Sequence, residues 1–151
     1  MALRAMMFIQ FFLFSTSFAF GSEYLPKETL SSLQNINGTA VNLNKKKQTI
    51  LYFWATWCPD CRDKMRTKLP EWNAMSNVQV IAVNTDRGAD KAHAFVEKEK
   101  VQLVVARDES RELQKYLQIF SVPSWALLEE EGDKIKIISK GAGSEMPALK
   151  N

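Results

Sequence analysis

The only two cysteines of the chain lie in the pentapeptide Trp57-Cys58-Pro59-Asp60-Cys61. This segment directly follows an apolar run, 49–54, that is typical of a buried strand. If a helix follows that strand, the Cys58 sulfur lies at the helix N-terminus, where unpaired N–H groups and the helix dipole favour thiolate over thiol. Cys61 comes one helical turn later and can close a disulfide with Cys58. The spacing therefore predicts a reactive pair that exchanges its disulfide with a substrate.

Within this pair, Cys58 is predicted to attack and to be attacked, because its sulfur reaches solvent at the helix end, and Cys61 is predicted to resolve the intermediate. Pro59 suits the first helical turn, where its missing N–H is not needed. Trp57 lies outside the apolar run of the strand, so we expect it to be partly exposed beside the sulfur. Trp54 lies inside that run and is expected in the core.

The first 21 residues have the features of an export signal. Arg4 precedes a phenylalanine-rich apolar stretch, and no acidic residue occurs before Glu23. Cleavage after Ala19 or after Gly21 fits, the second being preferred, and an uncleaved anchor that tethers the protein is the alternative. The sequence thus predicts a signal peptide or anchor at 1–21, one domain at 22–151, and a periplasmic or otherwise exported location. There, a lone C-x-x-C favours a working redox pair.

Composition restricts the partners. The 151 residues, 46% hydrophobic and 25% charged, fit one globular domain. The net charge is +3 and falls by one without Arg4, which is too mild to indicate a nucleic-acid partner. The basic run Lys45-Lys46-Lys47 is interpreted as a solvated turn. We expect a monomer that does not bind nucleic acid.

Strand and helix patterns alternate along the rest of the chain, which favours an α/β fold with a mixed central sheet flanked by helices. A helix from Pro59 is expected to kink or split at Pro70. The other predicted elements are an N-terminal β-hairpin at 33–43 around Asn37-Gly38, strands at 49–54, 78–83 and 103–105, helices at 89–100 and 110–117, and a hairpin formed by 125–128 and 134–139.

With these elements the chain resembles the thioredoxin superfamily, and specifically its exported TlpA-like and ResA-like thiol-disulfide oxidoreductases. The resemblance implies a thioredoxin fold, an N-terminal β-hairpin extension and a cis peptide bond before Pro123. It covers nearly the whole predicted domain. The segments that carry it are Phe53 to Arg62 with the C-x-x-C, the strand Val80 to Asn84, Val122-Pro123-Ser124, and Gly132.

The resemblance also implies how substrate binds. In the family, the loop before the cis proline faces the C-x-x-C, and the residue before that proline pairs its backbone with the bound substrate. We therefore expect Val122 and Pro123, together with Trp57 and Pro59, to bind substrate. The expected partners are proteins with thiols or disulfides and a membrane or periplasmic electron donor, and no cofactor is expected beyond the Cys58–Cys61 disulfide.

The chain departs from the family at several positions. Classical thioredoxins have a buried aspartate six residues before the first cysteine, where this chain has Tyr52, whose phenol cannot do the same work near neutral pH unless strongly perturbed. Asp86 falls near the place of a glutamate in some ResA-like reductases, so it is a candidate proton carrier to Cys61, a solvated loop acid being the alternative. Trp125 is bulkier than the common residue, and the short C-terminus indicates a reduced last helix.

Three functions follow as hypotheses. The leading one is a reductase for cytochrome c maturation or thiol maintenance, and the second is a DsbA-like oxidase or isomerase, which Pro59 and the missing buried acid favour. The third is a metal-binding or docking module. Zinc normally needs four ligands, and the chain offers two sulfurs and the distant His93. A Cu(I) site could use both thiolates, but no histidine or methionine cluster accompanies them.

Overall fold

The computed structural model describes residues 23–43, 48–143 and 145–149. The predicted signal peptide at 1–21 lies outside the described residues. None of the helices in these ranges is long and apolar enough to cross a membrane. In chain order, the elements are β1 (Tyr24–Leu25), α1 (Lys27–Ser31), β2 (Gln34–Asn35), β3 (Gln48–Trp54), α2 (Pro59–Arg66), α3 (Lys68–Asn73), β4 (Val78–Asn84), α4 (Asp90–Glu99), β5 (Val104–Arg107), α5 (Glu112–Leu117), β6 (Ser124–Glu131) and β7 (Lys134–Ala142).

The described strands form one sheet in the order β1-β7-β6-β3-β4-β5-β2. Strands β3, β4 and β5 run parallel, whereas β6 is antiparallel to β3 and β7 is antiparallel to β6. Every residue of β3 and β4 is buried, as expected for central strands that are covered on both faces. The predicted mixed sheet and the hairpin of β6 and β7 are confirmed.

Alternate residues of β3 enter two hydrophobic cores, one on each face of the sheet. Leu51 and Phe53 belong to the first core, which α1 and α5 cover. Ile50, Tyr52 and Trp54 belong to the second, which α2, α3 and α4 cover and which also contains both cysteines. The reactive pair therefore lies on a buried face of the sheet.

The predicted N-terminal hairpin is present as a turn with a shorter strand pairing than expected. The Asn35 N–H donates to the Thr39 carbonyl at 2.7 Å, and Gly38 has the left-handed φ of 79° that the turn requires. A single bridge, Gln34 to Ala40, joins the two arms. Strand β2 instead pairs with β5, whose edge would otherwise be open, so the extension completes the sheet.

The predicted break of the first long helix is confirmed and falls before the proline. Helix α2 ends at Arg66, α3 begins at Lys68, and Thr67 between them has φ −111° and ψ −79°. Pro70 is then in the first turn of α3, where no helical N–H is required of it. The break leaves α2 as an independent short helix that carries the cysteines.

Candidate active site

The site forms where three chain segments meet at one edge of the sheet. Parallel pairing places Trp54 opposite Asn84, so the loops that follow β3 and β4 leave at the same edge. Antiparallel pairing places Phe53 opposite Ser124, so the loop before β6 enters there too. The C-x-x-C segment, the loop with Asp86 and the loop with Pro123 are brought together in this way.

The two cysteines are linked by a disulfide and differ in burial. Cys58 is the N-cap of α2, and its Sγ accepts a hydrogen bond from the Cys61 N–H at 3.2 Å. Cys58 is 5% exposed, whereas Cys61 is completely buried. An incoming sulfur or thiolate therefore reaches Cys58 first, in line with the roles predicted for the pair. Among the described residues, no group of three or more histidine, cysteine and acidic side chains is placed to hold a metal ion.

Helix α2 is tied to α4 by one charged and aromatic cluster. The Arg66 guanidinium donates two hydrogen bonds of 2.8 Å to the Glu99 carboxylate, and this guanidinium lowers the pKa of Glu99. Arg66 also lies over the Phe95 ring, which packs against Trp54 with ring centroids 5.0 Å apart. These contacts fix the direction of the helix whose first turn holds the disulfide.

Asp86 fixes the loop that immediately precedes Cys58. Its Oδ2 accepts from the Thr56 N–H at 3.0 Å and from the Asn84 amide at 2.9 Å. Its own N–H donates to the Asn84 Oδ1 at 3.1 Å. These are the contacts of a positioning residue. A proton-carrying role of Asp86 toward Cys61 stays a prediction.

Tyr52 lies in the same buried core as the cysteines, and its hydroxyl has no hydrogen-bond partner among the described residues. Burial raises the pKa of Tyr52 far above its ordinary value, and the charges of Asp60 and Asp63 raise it further. The phenol is therefore neutral in the physiological pH range. It cannot act as the buried base whose place it occupies.

The Val122–Pro123 loop has a cis peptide bond, as the resemblance implied, and Val122 packs against the core that contains both cysteines. The Ser124 hydroxyl donates to the Ser121 carbonyl at 2.8 Å, and the Gly143 N–H donates to the Pro123 carbonyl at 2.8 Å. Within the described residues, the backbone of Val122 makes no hydrogen bond. It is thus available to pair with an extended substrate.

Two large aromatic side chains are exposed beside this loop. Trp57 is 69% exposed, which confirms the expected exposure, and Trp54 is fully buried, as predicted. Phe120 is 82% exposed, whereas Ile119 is buried. The sequence does not predict this exposure, because the segment 119–123 has no pattern that shows which of the two side chains faces the core. Its position in a short loop just before the X-Pro bond is the one feature that pointed to an unusual environment.

Comparison with known proteins identifies the family. A family model described as Redoxin matches residues 21–150. This chain belongs to the Redoxin family. The sporulation thiol-disulfide oxidoreductase A of Bacillus subtilis (strain 168) is 28% identical over 107 residues, which cover 67% of this chain and 65% of that protein. The thiol-disulfide oxidoreductase ResA of the same organism is 25% identical over 111 residues, which cover 71% of this chain and 62% of that protein.

The fold of this Redoxin family member is also found in a solved structure. The crystal structure of StoA from Bacillus subtilis matches with a TM-score of 0.61 and 24% identity, covering 78% of this chain and 92% of that one. The shared architecture is the thioredoxin fold that the sequence resemblance implied. The chain spans slightly less than two thirds of the length of the two curated relatives.

Two substitutions at Asp86 separate positioning from proton transfer. Asp86→Asn keeps an oxygen acceptor for the Thr56 N–H, whereas Asp86→Ala leaves two donors without their partner and should destabilise the fold by about 1–3 kcal/mol. We expect Asp86→Ala to slow disulfide exchange by about threefold to tenfold and Asp86→Asn to retain most of the rate. Stopped-flow exchange rates measured against pH test this. If Asp86→Asn is as slow as Asp86→Ala and has an altered pH profile, Asp86 carries protons.

Replacement of Tyr52 by Phe should leave the pH profile of exchange unchanged, because the phenol stays neutral. Removing a buried hydroxyl that has no partner among the described residues should leave the free energy of unfolding unchanged or raise it by about 1 kcal/mol. In the unfolded chain Tyr52 ionises near its ordinary pKa of 10.0, and in the folded protein only at higher pH. The stability that depends on the phenol staying neutral is therefore fully present below pH 10. It is lost as the pH rises above 10 towards the higher pKa of the folded protein.

Urea unfolding of both proteins at several pH values measures this difference. Wild type should lose stability above about pH 10 more steeply than Tyr52→Phe. The tyrosines at 24 and 116 are present in both proteins and cancel in the comparison. Parallel stability curves above that pH would contradict the assignment.

Proposed function

We propose that this chain is an exported thiol-disulfide oxidoreductase that acts on protein substrates through Cys58 and Cys61, mainly as a reductase. The observation that carries the proposal is the disulfide between Cys58, which is 5% exposed, and the fully buried Cys61, in the core against which Val122 of the cis Val122–Pro123 loop packs. The two curated relatives are named thiol-disulfide oxidoreductases, which supports the same chemistry here.

The proposed reaction begins with the reduced pair. The Cys58 thiolate attacks one sulfur of a substrate disulfide, so a mixed disulfide forms and the other substrate sulfur leaves as a thiolate. The Cys61 thiolate then attacks the Cys58 sulfur and displaces the second substrate thiolate. The protein loses two electrons in forming its own disulfide, and the substrate gains two electrons and takes up two protons.

The start of helix α2 favours the first step. Unpaired N–H groups and the helix dipole stabilise the Cys58 thiolate, which is the attacking group of the first step. The Cys61 N–H already points at the Cys58 sulfur. Neutral Tyr52 takes no proton from Cys61, so this chain handles protons differently from a thioredoxin with a buried aspartate.

The proposed setting is the periplasm or another exported location, with the segment 1–21 cleaved as a signal or kept as an anchor. A membrane or periplasmic donor would return electrons to the Cys58–Cys61 disulfide after each turnover. The role proposed there, in cytochrome c maturation or thiol maintenance, is the one that the resemblance to TlpA-like and ResA-like oxidoreductases implies. The protein is proposed to act as a monomer.

A DsbA-like oxidase or isomerase is the second candidate, since Pro59 occupies the first position between the cysteines and Tyr52 is neutral. The reduction potential of the Cys58–Cys61 pair separates the two. For a reductase we expect a value near about −270 mV in glutathione or dithiothreitol redox buffers, as for thioredoxin. A value toward about −120 mV would instead assign oxidation of substrates.

Two cysteine variants test the exchange chemistry itself. Cys58→Ser should abolish reduction of insulin disulfides, because no accessible nucleophile is left. Cys61→Ser should still attack and should accumulate mixed disulfides with substrate, visible by non-reducing electrophoresis and mass spectrometry. Insulin reduction that survives in Cys58→Ser would refute the proposed function.

A further inference from the structure

We infer that the groove beside the redox pair selects substrate segments that carry both an acidic and an aromatic residue near the reactive half-cystine. Phe120 and Arg111 are the specificity-determining residues in this inference. It rests on the proposed function and adds the substrate class to it. Neither residue was singled out by the sequence.

The groove is shallow, with a volume of about 160 Å³, and lies between the loops of the site. Its apolar lining comes from Trp57, Phe120 and Val122. Arg111 is the single charged residue among the described residues that line it. A surface with this composition favours a ligand that combines apolar and negatively charged groups.

Phe120 gives the groove an apolar surface that the core does not use. Its neighbour Ile119 is buried in the first core, whereas Phe120 is 82% exposed. One exposed aromatic is ordinary, but Phe120 lines the same groove as Trp57, the residue that directly precedes Cys58. Two exposed rings at one place form a contact surface for an apolar side chain.

Arg111 has a backbone conformation that arginine adopts reluctantly. Its φ of 57° and ψ of 22° are left-handed, where asparagine or glycine would be less strained. Lys100 and Gln118 have a similar left-handed conformation, but of these three residues Arg111 alone lines the groove. The Arg111 side chain makes no ion pair with any residue that the structure describes.

The carboxylates near Arg111 are bound to other donors. Asp86 accepts from the loop before Cys58, as described above. Asp108 accepts from two N–H groups at the start of α5, including that of Gln114 at 2.8 Å. Glu109 pairs with Arg107. Since none of the carboxylates that the structure describes forms a salt bridge with Arg111, its guanidinium can pair with a carboxylate of a substrate.

These features define one occupant. An extended peptide whose half-cystine meets Cys58 can pair with the backbone of Val122, which makes no hydrogen bond within the part of the chain that the structure describes. Neighbouring side chains would then lie along the groove, with an aromatic ring against Phe120 and a carboxylate against Arg111. A peptide that lacks the aromatic ring or the carboxylate would lose the corresponding contact. A peptide that lacks both would keep only the sulfur exchange and the backbone pairing.

The test uses the reduced full-length protein and three peptides of equal length. Each peptide has one cysteine in a mixed disulfide with 2-mercaptoethanol. The first carries Asp and Tyr beside the cysteine, the second carries Asn and Tyr, and the third carries Asp and Ser. Second-order exchange rates are measured by stopped-flow fluorescence at low salt.

For wild type we expect the Asp–Tyr peptide to react about twofold to fivefold faster than the Asn–Tyr peptide. It should react about threefold to tenfold faster than the Asp–Ser peptide. Added 0.5 M salt should reduce only the preference for Asp.

The variants assign each preference to a side chain. Arg111→Asn suits the left-handed backbone and should bring the rate ratio of the Asp–Tyr to the Asn–Tyr peptide to about one. Arg111→Lys keeps the positive charge and should retain part of this preference. Phe120→Ala should remove most of the Tyr preference and keep the Asp preference. The matched control is Lys115→Gln, which removes one exposed positive charge of α5 outside the groove and should change neither ratio.

Equal wild-type rates on all three peptides would overturn this inference and leave the proposed function standing. An Asp preference that persists in Arg111→Asn, or that Lys115→Gln also lowers, would overturn it as well. If wild type reacts with none of the peptides, the proposed function fails and takes this inference with it.

Discussion

The register of β3 is the constraint on which the rest of the site depends. Its parallel pairing with β4 and antiparallel pairing with β6 set which loops meet beside the cysteines. A slip of one residue would turn Tyr52 and Trp54 to the other face of the sheet and separate the C-x-x-C from its helices. The burial of every side chain of β3 makes such a slip costly, because both cores would be mispacked. The position of the redox site thus depends on a strand that is completely buried.

The acid near the redox pair has a different task from that of the buried aspartate in classical thioredoxins. The position of that aspartate is occupied by the neutral Tyr52, which lies in the same core as the cysteines and whose hydroxyl has no partner among the described residues. The carboxylate of Asp86 is instead bonded to the Thr56 N–H and to Asn84. An acceptor bound to two donors shapes the loop that presents Cys58. Because residue 52 is a tyrosine and not an acid, the deprotonation of Cys61 depends on other groups or on solvent.

The sequence predicted those parts of the site that local physics determines. The apolar run of β3, the cysteine spacing and Pro59 in the first turn together place the disulfide at the start of α2, as the structure confirms. The break before Pro70 and the buried Trp54 follow equally from local pattern. The cis bond before Pro123 came from the family resemblance, since the residues alone favour trans.

What the sequence could not supply depends on contacts between distant segments. The single bridge from Gln34 to Ala40 and the pairing of β2 with β5 reflect a competition between a local turn and an open sheet edge. The exposure of Phe120 depends on which neighbour reaches the first core. The left-handed backbone of Arg111 arises where Asp108 accepts hydrogen bonds from the first turn of α5. None of these has a periodic signal.

The bulky Trp125 side chain and the C-terminal tail interact and pack on the same core. No helix forms in the described tail residues 145–149; instead the Trp125 Nε1 donates to the Glu145 carbonyl at 2.6 Å, which satisfies an indole that is otherwise buried. Gly141 leaves room for the ring, since a Cβ there would lie 2.7 Å from Trp125 Cζ2. Met146 and Leu149 pack against the same core that contains the cysteines. The Trp125 ring and the described tail residues 145–149 therefore pack on the face of the sheet whose core contains both cysteines.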